Sequence, residues 1–134
     1  MTPKTPIVST LALTLLFLAA CSHDTALMRL EERLTGYGEA IRWSRFELAA
    51  DFQAASARKP TPMEVSKDLH ITSYDPVYRH ESEDGKTLNQ TVELSYFREQ
   101  TGVVHQLTDR QTWTFDDKKS QWFLQSPLPS FPGK

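Results

Sequence analysis

The sequence predicts an α+β fold in which N-terminal helices pack on one side of a curved antiparallel sheet of about four strands. Two observations predict it. Apolar residues recur at three- and four-residue steps between residues 24 and 57, and they alternate at two-residue steps between residues 69 and 125. Helices followed by a run of strands are typical of the α+β class, because each layer buries its apolar side against the other.

The first twenty residues are predicted to be an export signal rather than part of the fold. Lys4 precedes an apolar run from Leu11 to Leu18, and small residues follow that run. A helix that spans a membrane needs roughly 20 predominantly apolar residues, and this run is too short. The segment is therefore expected to be removed.

The segment Leu18-Ala19-Ala20-Cys21 closely resembles the lipobox of bacterial lipoprotein signals, and Cys21 is the only cysteine. The resemblance implies that residues 1–20 are cut off, that the Cys21 thiol carries a diacylglyceryl group, and that the new amino group is acylated. Two or more acyl chains hold a protein stably on its membrane. Ser22, rather than Asp, after the cysteine implies the periplasmic face of the outer membrane. The alternative is an ordinary secretory signal cut near Ala20 that leaves a free thiol.

Length and charge limit the function of the remaining chain. Cleavage leaves 114 of the 134 residues, enough for one small domain, with fourteen Lys and Arg against seventeen Asp and Glu. This balance lacks the basic character of nucleic-acid binders, so no nucleic-acid partner is predicted. We divide the chain into a cleaved signal (1–20), a lipidated tether (21–25), one α+β domain (26–126) and a Pro-rich tail (127–134). The tail is expected to form an irregular cover or a loose end.

The first predicted helix carries one apolar stripe, formed by Leu27, Leu30, Leu34, Tyr37 and Ile41. Gly36 and Gly38 each weaken a helix interior by up to about 1 kcal/mol relative to Ala. We predict one helix through both glycines, with a bend or restart near Thr35 as the alternative. Arg29, Glu32 and Arg33 are predicted to form a solvated face.

A second helix is predicted from Arg45 to about Ala57. The four residues from Ser44 to Glu47 fit a capping box, and Trp43 and Leu48 occupy the flanking positions of a hydrophobic staple. Leu48, Ala49, Phe52 and Ala55 are expected to face inward, and Pro60 and Pro62 to end the helix.

Four strands are predicted from the alternating region. They begin at Leu69, at Leu88 (to Arg98), at Val103 (to Phe115) and at Gln121 (to Gln125). The turns between them are predicted at Glu83–Lys86, where Asp-Gly is a strong hairpin signal, at Gln100–Gly102 and at Asp116–Lys119.

The segment Tyr37–Glu47, together with Thr112–Phe115 and Gln121–Leu124, resembles small bacterial lipoproteins with a nuclear-transport-factor-2-like, cystatin-like cone. The resemblance implies N-terminal helices that cover a strongly bent antiparallel sheet, often with a pocket between them. Its motifs are packing motifs that carry no chemistry. Such folds host enzymes, ligand binders and interaction modules, so the fold alone does not select a function.

The candidate ligand-binding residues are Tyr96, His105, Asp109, Trp113 and Phe115. The last four share one face of the third strand, because side chains alternate across a strand. His105 and Asp109 are about 13 Å apart along it, too far for a hydrogen-bonded acid–base pair, so either would act alone. The alternative is that the aromatic members belong to the core and the polar members lie at a solvated strand end.

Other signals of chemistry are missing from the sequence. It contains no HxxxH or HxH spacing for a metal, no GxSxG elbow and no glycine-rich phosphate loop. We therefore predict no catalytic residue, no metal site and no cofactor. Trp122 and Phe123 point to opposite faces of the last strand, which makes that strand and Pro127–Pro132 a candidate partner surface.

These observations favour a membrane-anchored, non-enzymatic accessory module of the cell envelope that acts on an envelope protein partner. One alternative is a carrier of a small hydrophobic ligand in the cone. Another is a small isomerase or hydrolase that uses His105 or Asp109.

Overall fold

The described part of the chain forms two helices and a four-stranded sheet, which confirms the predicted α+β class. The computed structural model describes the backbone of residues 8–59 and 67–132 and the side chains of residues 24–59 and 67–132. The elements are α1 (Val8–Arg42), α2 (Phe46–Ala50), β1 (Leu69–Glu81), β2 (Thr87–Arg98), β3 (Val104–Asp116) and β4 (Gln121–Leu124). Consecutive strands pair antiparallel in the order β1-β2-β3-β4, and the curved sheet is open.

Helix α1 is continuous through both glycines, as predicted, and its stripe is buried from Leu30 to Ile41. The glycines permit close packing of two aromatic rings. A Cβ on Gly36 would lie 3.0 Å from Phe52 Cζ, and one on Gly38 would lie 3.0 Å from Tyr74 Cε1. The loss of helix propensity is therefore accompanied by close contact between rings and backbone.

The predicted capping box is wrong. Ser44 has a φ of 54°, its hydroxyl donates a hydrogen bond to the carbonyl of Leu69, and Arg45 is the N-cap without a side-chain capping bond. Trp43 and Leu48 are exposed, so they form no staple across a buried face. The turn is fixed by a contact with β1 that local sequence does not reveal.

Helix α2 is also shorter than predicted, because the chain after it joins the sheet. Gln53 forms an isolated bridge with Leu124. The Ala54 amide donates to the Leu124 carbonyl at 2.8 Å, and the Leu124 amide donates to the Phe52 carbonyl at 2.9 Å. These backbone groups are used by the sheet rather than by further helical turns. Pro60 and Pro62 lie outside the described residues.

The strand limits agree with the predicted ones to within one residue, except that β1 continues to Glu81, well past the alternation from Leu69 to Tyr74 that predicted it. Gly85 and Gly102 have φ values of 67° and 63°, which glycine adopts at little cost, in the first two of the three predicted turns. In the last turn the Asp116 carboxylate accepts hydrogen bonds from the amides of Lys118 and Lys119. Pairing of β1 with β2 is irregular at two points, whereas β2 and β3 pair without interruption.

The Pro-rich tail is a cover rather than a loose end over its described part. The Phe131 ring is buried against Phe46 and Tyr96, with centroid distances of 5.6 and 5.1 Å. The Phe131 carbonyl accepts a hydrogen bond from Arg98 at 2.9 Å. The tail thus closes one end of the core.

Arg33 is not on a solvated face, contrary to the prediction. Its guanidinium lies 4.2 Å from the centroid of the Phe52 ring, and its Nε donates to the Trp122 carbonyl at 3.1 Å. Burial lowers the pKa of Arg33, and nearby Asp51 opposes that effect. Arg33 therefore fastens α1 to the short edge strand β4.

Candidate functional site

The space between α1 and β3 is filled by aromatic rings. The Tyr37 ring lies 5.4 Å from Trp113 and 6.0 Å from Phe52, and Phe52 lies 6.5 Å from Trp113, all edge to face. Tyr37 and Trp113 are completely buried. We call these three residues the aromatic plug. They occupy the position where a cone-shaped pocket was expected.

The structure brings together two of the predicted ligand-binding residues, Tyr96 and His105. Their rings stack with centroids 5.3 Å apart, and Tyr96 is buried while His105 is exposed. The Tyr96 hydroxyl donates a hydrogen bond to the Pro132 carbonyl at 2.9 Å. Tyr96 thus anchors the tail, and His105 lies at the solvated end of β3.

Asp109 is buried, with 8 % of its surface exposed, and its carboxylate accepts a hydrogen bond from Gln111 Nε2 at 2.7 Å. Burial raises the pKa of Asp109, and the bond from Gln111 opposes that effect. His105 and Asp109 therefore have different neighbours, and no contact joins them.

The other two predicted ligand-binding residues, Trp113 and Phe115, pack against aromatic side chains of the same chain. Trp113 belongs to the aromatic plug, and the half-buried Phe115 packs against Trp122 at 5.5 Å. Cys21, the predicted lipidation site, lies on the backbone of α1, and its side chain is outside the described residues.

Sequence reasoning missed a buried polar network on the concave face of the sheet. Gln90 and Gln111 are each only 2 % exposed. Gln111 Oε1 accepts hydrogen bonds from Gln90 Nε2 at 3.2 Å and Trp113 Nε1 at 3.1 Å, and Gln111 Nε2 also donates to the Tyr74 hydroxyl at 3.0 Å. Arg79 Nε extends the network by donating to Gln90 Oε1 at 2.6 Å.

One signal in the sequence could have revealed this network. Gln90 stands between Leu88 and Val92 at an inward position of its strand, where alternation otherwise places apolar side chains. Buried amides need partners, so two inward glutamines on neighbouring strands indicate a contact between them.

The Tyr37 hydroxyl differs from the polar groups of this network. It is buried but has no hydrogen-bond partner within the described residues. Burial raises the pKa of Tyr37 well above its usual value, and Asp109 and Tyr74 raise it further. Burial likewise raises the pKa of Tyr74 to about 12, against the bond from Gln111. Both phenols are neutral at physiological pH.

An open groove of about 490 Å³ lies beside the network, between α1 and the central part of β1. Tyr74 and Gln90 contribute to its lining, and its charged groups are Arg42, Arg79, Glu39 and Asp75. Arg79 also forms an ion pair of 2.8 Å with Glu31 on α1. The groove lining combines polar and apolar surface in similar amounts and carries charges of both signs, unlike the uniformly apolar pocket of a hydrophobic carrier.

The fold and these contacts define an α+β protein in which a long helix and an aromatic plug pack on the concave face of an open antiparallel sheet, with an open groove between α1 and β1. The chain matches no protein-family model and no curated protein. Within the part of the chain whose residues are described, no helix combines the length and the apolar character needed to cross a membrane. The same part holds no group of three or more His, Cys, Asp or Glu side chains that could bind a metal ion.

Proposed function

We propose that this protein is a lipid-anchored module of the bacterial cell envelope, held at the periplasmic face of the outer membrane, which acts by contact with another protein. The filled interior carries this proposal. Because Tyr37, Phe52 and Trp113 occupy the space that a carried apolar molecule would need, the surface remains for function. The lipobox at Leu18–Cys21 supports the anchor.

The position of Cys21 supports close attachment to the membrane. The backbone is helical from Val8 to Arg42, and Trp122 Nε1 donates a hydrogen bond to the carbonyl of Ala26 at 3.0 Å. Five helical residues span roughly 7.5 Å, at about 1.5 Å per residue. An acylated Cys21 would therefore hold the domain near the bilayer surface rather than at the end of a long tether.

The anchor is tested by labelling bacteria that express the full chain with an alkyne fatty acid and separating their membranes. The wild type is expected to carry the label and to sediment with the outer membrane. Cys21→Ser should lose both properties, whereas Ser22→Ala should keep the label. An unlabelled wild type, or a Cys21→Ser variant that remains on the membrane, would refute the anchor.

Native mass spectrometry of the full chain released from detergent distinguishes a protein that acts by contact with a partner from a carrier of a small hydrophobic ligand. We expect the mass of the lipidated polypeptide without an additional small molecule. A reproducible apolar adduct that is lost on Trp113→Ala would favour the carrier instead. The enzyme alternative, with His105 or Asp109 as the acting group, predicts turnover that alanine variants at both positions abolish.

The groove favours a second candidate function, the binding of a small polar molecule. Its volume of about 490 Å³ lies in the range of roughly 300–1,000 Å³ that is typical of ligand sites. The test is thermal unfolding of the full chain with and without sets of polar metabolites. A rise in melting temperature that Thr35→Trp removes, by placing a bulky side chain at an exposed position of the groove lining, would support it.

A further inference from the structure

The C-terminal tail, residues 126–132, occupies a site that the rest of the domain builds without it. The Phe46 ring on α2 and the Tyr96 ring on β2 form the apolar part of this site, and the Phe131 ring is buried against both. Arg98, two residues after Tyr96 on β2, donates a hydrogen bond to the Phe131 carbonyl at 2.9 Å. The site thus holds one aromatic side chain and has hydrogen-bond donors beside it.

The guanidinium of Arg98 is fixed by a contact outside the tail. Its Nη1 donates to Asp68 Oδ1 at 2.8 Å, in an ion pair whose side chains are only 13 % and 26 % exposed. Its Nη2 therefore already points toward the tail, where it donates to the Phe131 carbonyl. A donor that is oriented in advance lowers the entropy cost of binding an acceptor.

The site recognises the tail through one ring and two carbonyl groups rather than by strand pairing. The Tyr96 hydroxyl and the Arg98 guanidinium donate to the successive carbonyls of Pro132 and Phe131, each at 2.9 Å. Among the described residues, no backbone–backbone hydrogen bond joins residues 127–132 to the domain. Aromatic-lined sites bind proline-rich peptides in this manner, because such peptides are extended and have no internal hydrogen bonds.

Three prolines prepare the tail for such a site. Pro127, Pro129 and Pro132 fix their own φ angles near −65° and disfavour a helical conformation in the residues before them. The described tail accordingly contains neither helix nor strand. A segment that is already extended loses less conformational entropy on binding, whether it belongs to the same chain or to another molecule.

We propose that the site formed by Phe46, Tyr96 and Arg98 binds an extended segment of a partner protein, and that the tail is its internal competitor. The segment contains an aromatic residue followed by proline, because the Phe131-Pro132 pair occupies the site in this chain. This inference rests on the proposed function, contact with another protein, and deepens it by naming the chemistry of the contact.

Few contacts hold the tail in place. Phe131 is buried and Leu128 packs partly against the core, whereas Pro127, Ser130 and Pro132 are exposed. Segments with few buried contacts open locally without unfolding of the whole domain. The tail of a second copy would only replace the same contacts and gain none, so we assign the site to another protein.

A partner segment has to compete with a tail that is covalently attached. A short flexible linker gives an attached segment an effective concentration on the order of millimolar. Confinement of the partner to the same membrane surface raises its local concentration in the same way. The tail therefore prevents weak binding by proteins that are free in solution and permits binding by an anchored or high-affinity partner.

The first test measures whether the site accepts a separate peptide. Fluorescence anisotropy follows a labelled peptide with the sequence of residues 126–132 on the full chain in detergent. Phe131→Ala removes the ring of the internal competitor and leaves the site itself unchanged. We expect this variant to bind the peptide at least tenfold more tightly than the wild type does. Ser130→Ala, at the exposed neighbour, is the matched control and should bind like the wild type.

Two further variants examine the chemistry of recognition. A peptide with alanine in place of its phenylalanine should not bind to the Phe131→Ala chain. Adding Tyr96→Phe to that chain keeps the ring but removes one donor, and should weaken peptide binding about fivefold. Circular dichroism verifies that each chain is folded. A folded Phe131→Ala chain that takes no peptide, or that binds the peptide equally well without its phenylalanine, would overturn the site.

The second test asks whether the tail is displaced in a chain with Phe131 present. Ser130→Cys in a Cys21→Ser background carries a dye on the tail. We expect millimolar peptide to lower the anisotropy of the dye, and the peptide without phenylalanine to leave it unchanged. A dye that does not respond to the peptide would identify a permanent cover and overturn the competition.

Light scattering distinguishes the partner segment from a second copy of the tail. A wild-type dimer that Phe131→Ala converts into a monomer would assign the site to the tail of a second copy and overturn the proposal. The peptide measurements do not depend on the lipid. Loss of the fatty-acid label at Cys21 therefore refutes only the anchor, whereas a labelled chain that binds no peptide refutes only the site.

Discussion

The rings of Tyr37 on α1 and Trp113 on β3 meet edge to face, with centroids 5.4 Å apart and planes inclined by 82°. Aromatic pairs favour this geometry, because the positive edge of one ring faces the negative face of the other. Both residues are completely buried. This contact is one of several that join α1 to the sheet, and it lies within the aromatic plug.

Trp113→Ala is expected to lower the free energy of unfolding by about 3–5 kcal/mol, because it removes apolar contacts and leaves a cavity under α1. Urea unfolding followed by circular dichroism measures this loss. Trp43→Ala is the matched control, since Trp43 is 69 % exposed and its removal should change stability by less than about 0.5 kcal/mol. Equal losses of unfolding free energy in the two variants would contradict the packing of Trp113 in the aromatic plug.

Tyr37→Phe is expected to stabilise the protein by about 1 kcal/mol, because it removes a buried hydroxyl that has no partner within the described residues. Tyr74→Phe is the control and should cost about 1 kcal/mol, since the Tyr74 hydroxyl accepts a hydrogen bond from Gln111. Chemical unfolding at neutral pH compares the two. A clear loss of stability in Tyr37→Phe would indicate that the hydroxyl has a partner.

Asp109→Asn is expected to change how stability depends on pH. The pKa of Asp109 is higher in the folded protein than its usual 3.8. The folded state therefore binds more protons, and the ionisation of Asp109 lowers stability as pH rises from about 4 to the folded pKa. Asparagine stays neutral and can still accept the bond from Gln111.

Urea titrations of Asp109→Asn and wild type at a series of pH values test this expectation. The stability of the variant relative to wild type should increase from about pH 4 upward and level off once Asp109 is ionised. A relative stability that is constant, or that falls as pH rises, would contradict the burial of this carboxyl group.

Phe131→Ala is expected to cost about 3 kcal/mol, because Phe131 is buried against Phe46 and Tyr96 although it lies near the end of the chain. Ser130→Ala, at an exposed neighbour, should have little effect. Thermal and urea unfolding measure both variants. Proteolysis provides a second readout, since detachment of the tail should speed cleavage after Ser126. Equal stability of the two variants would mean that the tail does not stabilise the core.

Local patterns predicted most of the architecture. The stripe from Leu30 to Ile41 predicted α1, and Asp84-Gly85 predicted the first hairpin turn, because both depend on neighbours in sequence. The capping box at Ser44–Glu47 failed for the opposite reason. The Ser44 hydroxyl bonds to the distant Leu69 carbonyl, and α2 ends early because Gln53 pairs with β4.

The candidate site was predicted less completely. The alternation of β3 correctly separated the inward Trp113 from its neighbours, but it could not tell a lining residue from a packed one. Tyr37 comes from another layer and fills the space that the pattern leaves open. The Gln90–Gln111 hydrogen bond likewise depends on the register between β2 and β3, which becomes known only from the folded structure.

By itself, the sequence determined the order and approximate limits of most elements and predicted a lipobox at Cys21, since these depend on residues within one or two turns of each other. Only the tertiary structure decided that aromatic rings fill the space between α1 and Trp113, that the described part of the tail is a cover, and that no described strand pairs with the outer edge of β3 from Val104 to Arg110. Those properties depend on which distant side chains meet and which backbone groups lack a neighbour, and the packing of layers settles both.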